Sequence, residues 1–182
     1  MLQYSNTWCT YLHISIIERA CGSLMLDVGC GYGKSTSLLE EVCSSFVIGV
    51  DVDCEKVFKA RELLSSKSNI DFIYADASHL PIRSSSIDSA ATILTFHEVE
   101  EKIFDRVIEE VYRVLQTHGK FLVIDKVVCE FRSPSEELTV LTELAYHKAV
   151  EYVHGIRAWG VRRAEELIAK IVSKTLQKRA EN

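Results

Sequence analysis

Five short runs, at residues 24–28, 46–50, 70–74, 89–94 and 120–125, are apolar almost from end to end. A strand with one wet face alternates apolar and polar residues, whereas a continuous apolar run suits a strand buried on both faces of a parallel sheet. Parallel neighbours need crossover connections, and the segments between the runs have helical periodicity. Residues 54–64 carry Val57, Ala60, Arg61 and Leu64 at helical spacing, with Glu55 four residues before Lys59. Residues 100–115 place Ile103, Val107, Ile108, Val111, Val114 and Leu115 on one stripe. The expected fold is α/β: a doubly wound, mostly parallel sheet with helices on both faces and right-handed crossovers.

After Asp125 the pattern changes. Ser133-Pro134-Ser135-Glu136 reads as a helix start, and Leu138, Leu141, Leu144, Ala145 and Tyr152 continue it. Gly155 and Gly160 break that helix, and a last one turns Ala164, Leu167, Ile168, Ile171 and Val172 inward. No strand is expected after Val128, which leaves five strands and a helical C-terminus. At 182 residues the chain fits one domain over 1–182, with its core at 24–125 and a helical extension at 133–182.

A 47% hydrophobic content supplies a sizeable core, and a net charge of −5 argues against a surface built throughout for nucleic acid. No stretch approaches the roughly 20 apolar residues of a membrane span, and the N-terminus does not read as a signal peptide. The expectation is a cytoplasmic protein with no membrane association. The six cysteines form no C-x-x-C pair and no zinc spacing with the six histidines, so no metal site is expected. They read as small buried hydrophobes, with no disulfide scaffold.

The densest chemistry lies in Leu26-Asp27-Val28-Gly29-Cys30-Gly31-Tyr32-Gly33-Lys34-Ser35, at the first strand-to-helix turn. Doubly wound sheets bind ligands at such strand C-terminal ends, and glycines let the backbone approach closely. A phosphate-binding P-loop would need Gly where Val28 stands, which makes Lys34 a decoy. A dinucleotide fingerprint would need its third Gly at Lys34. What remains is an acid followed by three alternating glycines. An acid about twenty residues further on, Asp51, sits where a ribose would lie. Two roles compete for Asp51, ribose contact and capping of the helix that follows; Asp53 fits the cap better.

The segment Asp27-Val28-Gly29-Cys30-Gly31-Tyr32-Gly33 resembles the first motif of class I S-adenosylmethionine (SAM) dependent methyltransferases, most closely the methyltransferase type 11 branch. The resemblance continues through Ile48-Gly49-Val50-Asp51-Val52-Asp53, Tyr74-Ala75-Asp76-Ala77 with Leu80-Pro81, Ile87-Asp88, residues 92–96, and Val111-Tyr112-Arg113-Val114-Leu115. It implies a Rossmann-like methyltransferase fold with SAM as cofactor. It also implies cofactor contacts from Asp27, Gly29, Cys30, Gly31 and Gly33, ribose bonds from Asp51, adenine contact from Val52, and an adenine-side turn at Asp76 and Ala77. For Asp27 the competing role is a strand-end acid satisfied by backbone amides.

The same resemblance puts His97 where the family lines its methyl-transfer site, and a near-neutral imidazole suits taking a proton from oxygen or nitrogen. The competing role is a histidine at the entrance of the next helix. Methyl transfer from sulfonium can run on positioning alone, so no catalytic side chain is obligatory. The acceptor is expected to be a small molecule, since no Asn-Pro-Pro-Tyr-like motif follows strand four; RNA and protein acceptors stay open. The family's sixth and seventh strands are not expected after strand five, which would leave that strand an edge to be covered by the C-terminal helices, by a second copy in a homo-oligomer or by a partner subunit. The function expected is SAM-dependent methyl transfer. The alternatives are a non-catalytic SAM-binding or scaffolding subunit and, less well matched by the glycine spacing, an NAD-linked oxidoreductase. Tyr4, Trp8 and Tyr11 either cap the pocket or pack on the sheet, and the basic stretch at 157–179 is either a solvated helix face or a surface facing RNA or an acidic partner.

Overall fold

The computed structural model describes residues 7–125, 127–128, 162–163 and 169–173. Alternation along the strands divides the apolar residues between two helical layers. In β1 (Leu24–Val28), Met25 packs with Ile17 and Leu39 on one side, while Leu26 and Val28 join Val107, Ile108 and Val111 on the other. The first layer is α1 (Thr7–Ala20) and α2 (Lys34–Cys43). The second includes α4 (Glu101–Val114), which buries Phe104, Val107, Ile108, Val111 and Val114. The other elements of the sheet region are β2 (Phe46–Asp51), α3 (Cys54–Leu63), β3 (Ile70–Tyr74), β4 (Ile87–Ile93) and β5 (Leu115–Ile124).

The five strands pair in the order β3-β2-β1-β4-β5, and every neighbouring pair is parallel. This is the doubly wound, Rossmann-like sheet that the apolar runs imply. The chain winds outward from β1 to β3, then returns to β4 on the other side of β1. The crevice outside the C-terminal ends of β1 and β4 is thus the switch point at which such sheets hold ligands. β5 starts five residues before the run that marks it, because Gln116, Thr117 and His118 are exposed and add nothing apolar to the pattern. The ladder also shifts register between Ile87 and Ser89.

Two expectations are corrected beyond Asp125. β6 (Val127–Val128) pairs in parallel with β7 (Arg162–Arg163), so a strand does follow Val128; a two-residue pairing leaves no periodicity to read. Residues 169–173 are helical, and Ile171 packs against the α4 core, but Val172 is exposed rather than inward. The helix expected over 136–152 lies outside the described residues, as do Tyr4 and Cys129. Among the described residues no helix is long and apolar enough to cross a membrane. No group of three or more His, Cys, Asp or Glu there could hold a metal.

The cysteine reading is also corrected. Cys21, just after α1, and Cys43, closing α2, form a disulfide with their Cα atoms 5.2 Å apart. Packing of α1 on α2 produces that proximity, and a separation of 22 residues offers no local signal for it. Cys54 is exposed, and Cys30 alone among the described free thiols is a buried small hydrophobe.

The edge strand β3 is blunted by side chains. The Asp71 carboxylate accepts the Phe72 N–H at 2.7 Å, and the Arg61 guanidinium donates to the Phe72 carbonyl. The middle of this edge thus has its hydrogen bonds filled without another strand.

Arg113 does the same for the connector between β3 and β4. Its guanidinium meets the Glu110 carboxylate at 2.7 and 2.8 Å and donates to the carbonyls of Leu80 and Ile82, both at 2.9 Å. Glu110 also accepts the Leu80 N–H at 2.8 Å. The guanidinium holds the Glu110 carboxyl below the usual carboxylate range. Arg113→Ala leaves Glu110 largely buried beside unpaired carbonyls and should cost about 2–4 kcal/mol in urea unfolding, with Arg113→Lys recovering less than half. A loss under about 0.5 kcal/mol would show that the connector holds itself.

Candidate functional site

The glycine loop between β1 and α2 is fastened at both ends. The N–H groups of Gly29 and Cys30 donate to the Val50 carbonyl at 2.8 and 3.0 Å, tying the loop to β2. Gly29, Gly31 and Gly33 all have positive φ, a region an L side chain enters only at a cost. Their surroundings separate their roles. A Cβ on Gly29 would lie 2.2 Å from the Thr95 methyl, and one on Gly33 would press on Leu64 and Phe72. A Cβ on Gly31 would meet nothing within 4 Å. Gly29 and Gly33 are required by packing, while Gly31 borders open space that a ligand can enter.

Asp51 ends β2 beside that space. Its Oδ2 accepts the Gly31 N–H at 2.8 Å, and its Oδ1 accepts the Asp53 N–H at 2.9 Å. The carboxylate is thereby aimed by two backbone amides, and each oxygen keeps a further lone pair. Asp53 is the helix cap: its Oδ1 accepts the N–H groups of Glu55 and Lys56 at 3.0 and 3.2 Å. Asp53 thus takes the capping role the sequence reading gave it. Val52 is 67% exposed beside them, and Tyr74, at the end of β3, is 60% exposed. Asp76 accepts the Ser78 N–H at 2.8 Å in a tight turn, and Ala77 packs partly against the core. The Cys30 side chain lies among Val57, Ala60 and Phe72, so only its backbone borders the loop.

Asp27 is fully buried on the α2 side of β1. Its Oδ2 accepts the hydroxyls of Ser35 at 2.6 Å and Thr36 at 2.7 Å, not backbone amides. The other oxygen, Oδ1, has no hydrogen-bond partner among the described residues. Burial pushes the carboxyl up to about 6, the two hydroxyls working against that rise. An orphaned carboxylate oxygen under the loop is an acceptor that an ammonium group or an ordered water would satisfy.

Beyond β4 the chain is pinned on both sides. The Leu94 N–H donates to the Ile124 carbonyl at 2.7 Å, and the Thr95 hydroxyl is 3.1 Å from the Val28 carbonyl. Between these two anchors Leu94 has φ 56°, and a left-handed backbone costs a bulky residue about 1–2 kcal/mol. Phe96 is buried edge-on against Phe104, with ring centroids 5.0 Å apart. That packing directs His97 back to β5, where its Nδ1 lies 2.6 Å from Asp125 Oδ1 and its N–H donates to Asp125 Oδ2 at 3.2 Å. A carboxylate facing Nδ1 favours the tautomer that carries its proton there, and Nε2 lies 3.8 Å from Glu98 Oε1.

The structure thus gathers Asp27, the three glycines, Asp51, Val52 and Asp76 at one end of the sheet, with His97 beside the switch point. Four contributors escaped the sequence reading: Asp125, Thr95, and the hydroxyls of Ser35 and Thr36. Asp125 closes its apolar run as Asp51 closes another, and that parallel was its available signal. Ser35 and Thr36 lie eight and nine residues past Asp27, with only a buried acid to explain them. The donor set fits SAM: a carboxylate for two hydroxyls, exposed apolar side chains for a base, an orphaned acid for a cation, and no phosphate cradle.

Comparison with known proteins agrees. The family model described as "Methyltransferase domain" matches residues 26–123. Methyltransferase GfsG of Streptomyces halstedii is 31% identical over 115 residues, covering 62% of this chain and 41% of that protein. The O-methyltransferase cnsE of Penicillium expansum is 31% identical, covering 61% and 41%. The chain therefore spans about two-fifths of the length of these relatives. The crystal structure of the YcgJ protein of Bacillus subtilis superposes with a TM-score of 0.68 over 90% of this chain and 67% of that one, at 23% identity.

The raised Asp27 sets a pH test. The folded carboxyl keeps its proton up to about 6, while the unfolded one releases it near 3.8, so the native state binds more protons between these values. Asp27 then makes stability fall as pH rises through that window. Asp27→Asn removes this component. Relative to the parent protein, the variant should gain about 2 kcal/mol in urea unfolding between pH 4 and pH 7. A difference independent of pH would show that Asp27 ionises normally.

Proposed function

The chain belongs to the methyltransferase domain family, and from that premise we propose that it is a SAM-dependent methyltransferase acting on a small-molecule acceptor. The observation that carries this reading is the Asp51 carboxylate, oriented by the N–H groups of Gly31 and Asp53 next to open space at Gly31. The bound cofactor supplies an electrophilic methyl group on a good leaving group. Asp51 would take both ribose hydroxyls on its remaining lone pairs, and Val52 and Tyr74 would offer apolar surface to the base. The Asp76–Ala77 turn would flank its amino group, and Asp27 Oδ1 would receive the cationic amino-acid end directly or through water.

His97 is the candidate base, with Nε2 taking the acceptor's proton. Asp125 positions it by fixing the tautomer and would stabilise the imidazolium once formed. We read residues 1–182 as one SAM-binding domain with its core at 24–125. The second reading is a non-catalytic SAM-binding or scaffolding subunit of a methyltransferase complex. Turnover on a panel of small-molecule, protein and RNA acceptors, with and without candidate partners, separates the two.

These roles generate three predictions. SAM or its demethylated product, at one hundred times the dissociation constant, should stabilise the fold by about 2.7 kcal/mol, and NAD should not. In calorimetry, Asp51→Ala should weaken binding of the demethylated product by about 30- to 1000-fold, and Asp53→Ala much less. Equal, small losses would reduce Asp51 to a loop brace. On a turned-over acceptor, His97→Ala should lower kcat about a hundredfold at unchanged cofactor affinity, with Asp125→Asn between it and the parent protein. Survival of full turnover in His97→Ala would leave the pair a purely structural bridge between β4 and β5.

A further inference from the structure

The Cys21–Cys43 disulfide joins α1 to α2, and no part of the site described above uses it. Its place in the fold decides what it can control. Cys21 follows the last turn of α1 near the starts of the strands. The Lys120 ammonium donates to the Cys21 carbonyl at 3.3 Å, and Lys120 stands beside Ser89 and Met25 in the ladder. One turn back along α1, Ile17 packs with Ala91 and Leu122, two residues further up the same strands. Followed from its C-terminus to its N-terminus, α1 therefore climbs the sheet toward the strand C-terminal ends. Thr7 lies ten residues before Ile17, about 15 Å of helix, whereas β5 ends only two residues, about 7 Å, past Leu122. The first turns of α1 thus pass the edge of the sheet that carries the glycine loop and Asp51.

The two tethered helices are held unequally. Of α1 residues 14–20, only Ile17 and Ala20 are buried. By contrast α2 is fixed along its length. Ser35 and Thr36 donate to Asp27, Leu39 is fully buried, and Glu40 accepts from the Lys67 ammonium at 2.7 Å. The disulfide therefore secures a lightly held helix to a firmly held one. Cys21 and Cys43 are both only half-buried, so an attacking thiolate has access to their sulfurs.

We propose that the Cys21–Cys43 disulfide is a redox-controlled tether for α1: oxidised, it holds α1 along the sheet and past the cofactor end, and reduced, it lets α1 come away so that cofactor affinity falls. The choice of ligand rests on the methyltransferase reading above; the tether itself does not. A dithiol supplies the two electrons. One of its thiolates attacks either protein sulfur, the S–S bond breaks, and the other protein sulfur leaves as a thiolate. The second thiol of the reductant then displaces the first protein sulfur from the mixed disulfide. The reductant ends as its own disulfide, and Cys21 and Cys43 end as thiols that have taken up its two protons. A helix with few buried side chains opens locally without unfolding the sheet, which amide hydrogen exchange detects.

The test uses the full chain, air-oxidised or treated with dithiothreitol, and a variant carrying both Cys21→Ser and Cys43→Ser. Peptide mapping reads the cross-link, hydrogen exchange reads α1, β1 and β4, and calorimetry reads affinity for S-adenosylhomocysteine. The oxidised parent should yield the linked Cys21–Cys43 peptide. Reduction should speed exchange of the α1 amides at least tenfold, leave those of β1 and β4 within twofold, and weaken S-adenosylhomocysteine binding at least fivefold. The double variant should match the reduced parent with or without dithiothreitol. Absence of the linked peptide would overturn the proposal, as would unchanged α1 exchange or unchanged affinity on reduction. Faster exchange in β1 and β4 as well would overturn it by making the bond a staple of the whole fold. A further loss of affinity when the double variant meets dithiothreitol would assign the effect to another cysteine. A parent that binds no S-adenosylhomocysteine in either state would sink the methyltransferase reading and the switch with it, whereas unchanged α1 exchange in a protein that binds would sink the switch alone.

Discussion

Two backbone N–H groups converge on one carboxylate at the end of β2, and the geometry of the site hangs on that convergence. Asp51 holds the crown of the glycine loop through Gly31 and the start of the α3 connection through Asp53. The loop could otherwise relax, since its three glycines have the greatest backbone freedom of any residue. Val50, one residue earlier, fixes the base of the same loop by accepting from Gly29 and Cys30. β2 thus acts as a rail along which the loop is set, and Asp51, the acid proposed to take the ribose, is part of that rail. A carboxylate already satisfied once on each oxygen is oriented before a ligand arrives and needs little reordering to accept two hydroxyls.

On the other flank of β1 a second set of anchors does comparable work. Thr95 bridges β4 to β1, Leu94 is tied to β5, and His97 is held by Asp125. All three depend on the parallel order β1-β4-β5, which brings three strand ends to one level. Phe96, buried against Phe104, converts packing of α4 into the placement of the imidazole. The disulfide between Cys21 and Cys43 braces the opposite layer, where Ile17 of α1 and Leu39 of α2 pack with Met25 of β1.

What the sequence reveals and what it hides divide along physical lines. Strands buried on both faces announce themselves as apolar runs, so β1 and β3 fall where the pattern puts them, and the parallel sheet follows. The start of β5 is hidden because Gln116, Thr117 and His118 are exposed and polar. The glycine loop and the capping Asp53 are legible because local backbone chemistry demands those residue types at those spacings, and Asp51 is legible as the acid about twenty residues past the loop, just after an apolar run. Asp125 with His97, Ser35 and Thr36 with Asp27, and Cys21 with Cys43 are pairings made by tertiary contact. Sequence distance carries no information about them until the strand order is known. Leu94 is hidden for another reason, since a strained leucine looks like one more apolar residue in its run.

The central claim is that Asp51, aimed by Gly31 and Asp53, is the point at which this fold grips its cofactor. Backbone amide resonances followed by NMR during titration with S-adenosylhomocysteine test it most directly. If ribose hydroxyls bond the Asp51 carboxylate, the amides of Gly31 and Asp53 should show the largest shifts along β2 and the glycine loop, and Asp51→Ala should abolish them. Saturable binding that leaves both amides unmoved would contradict the account.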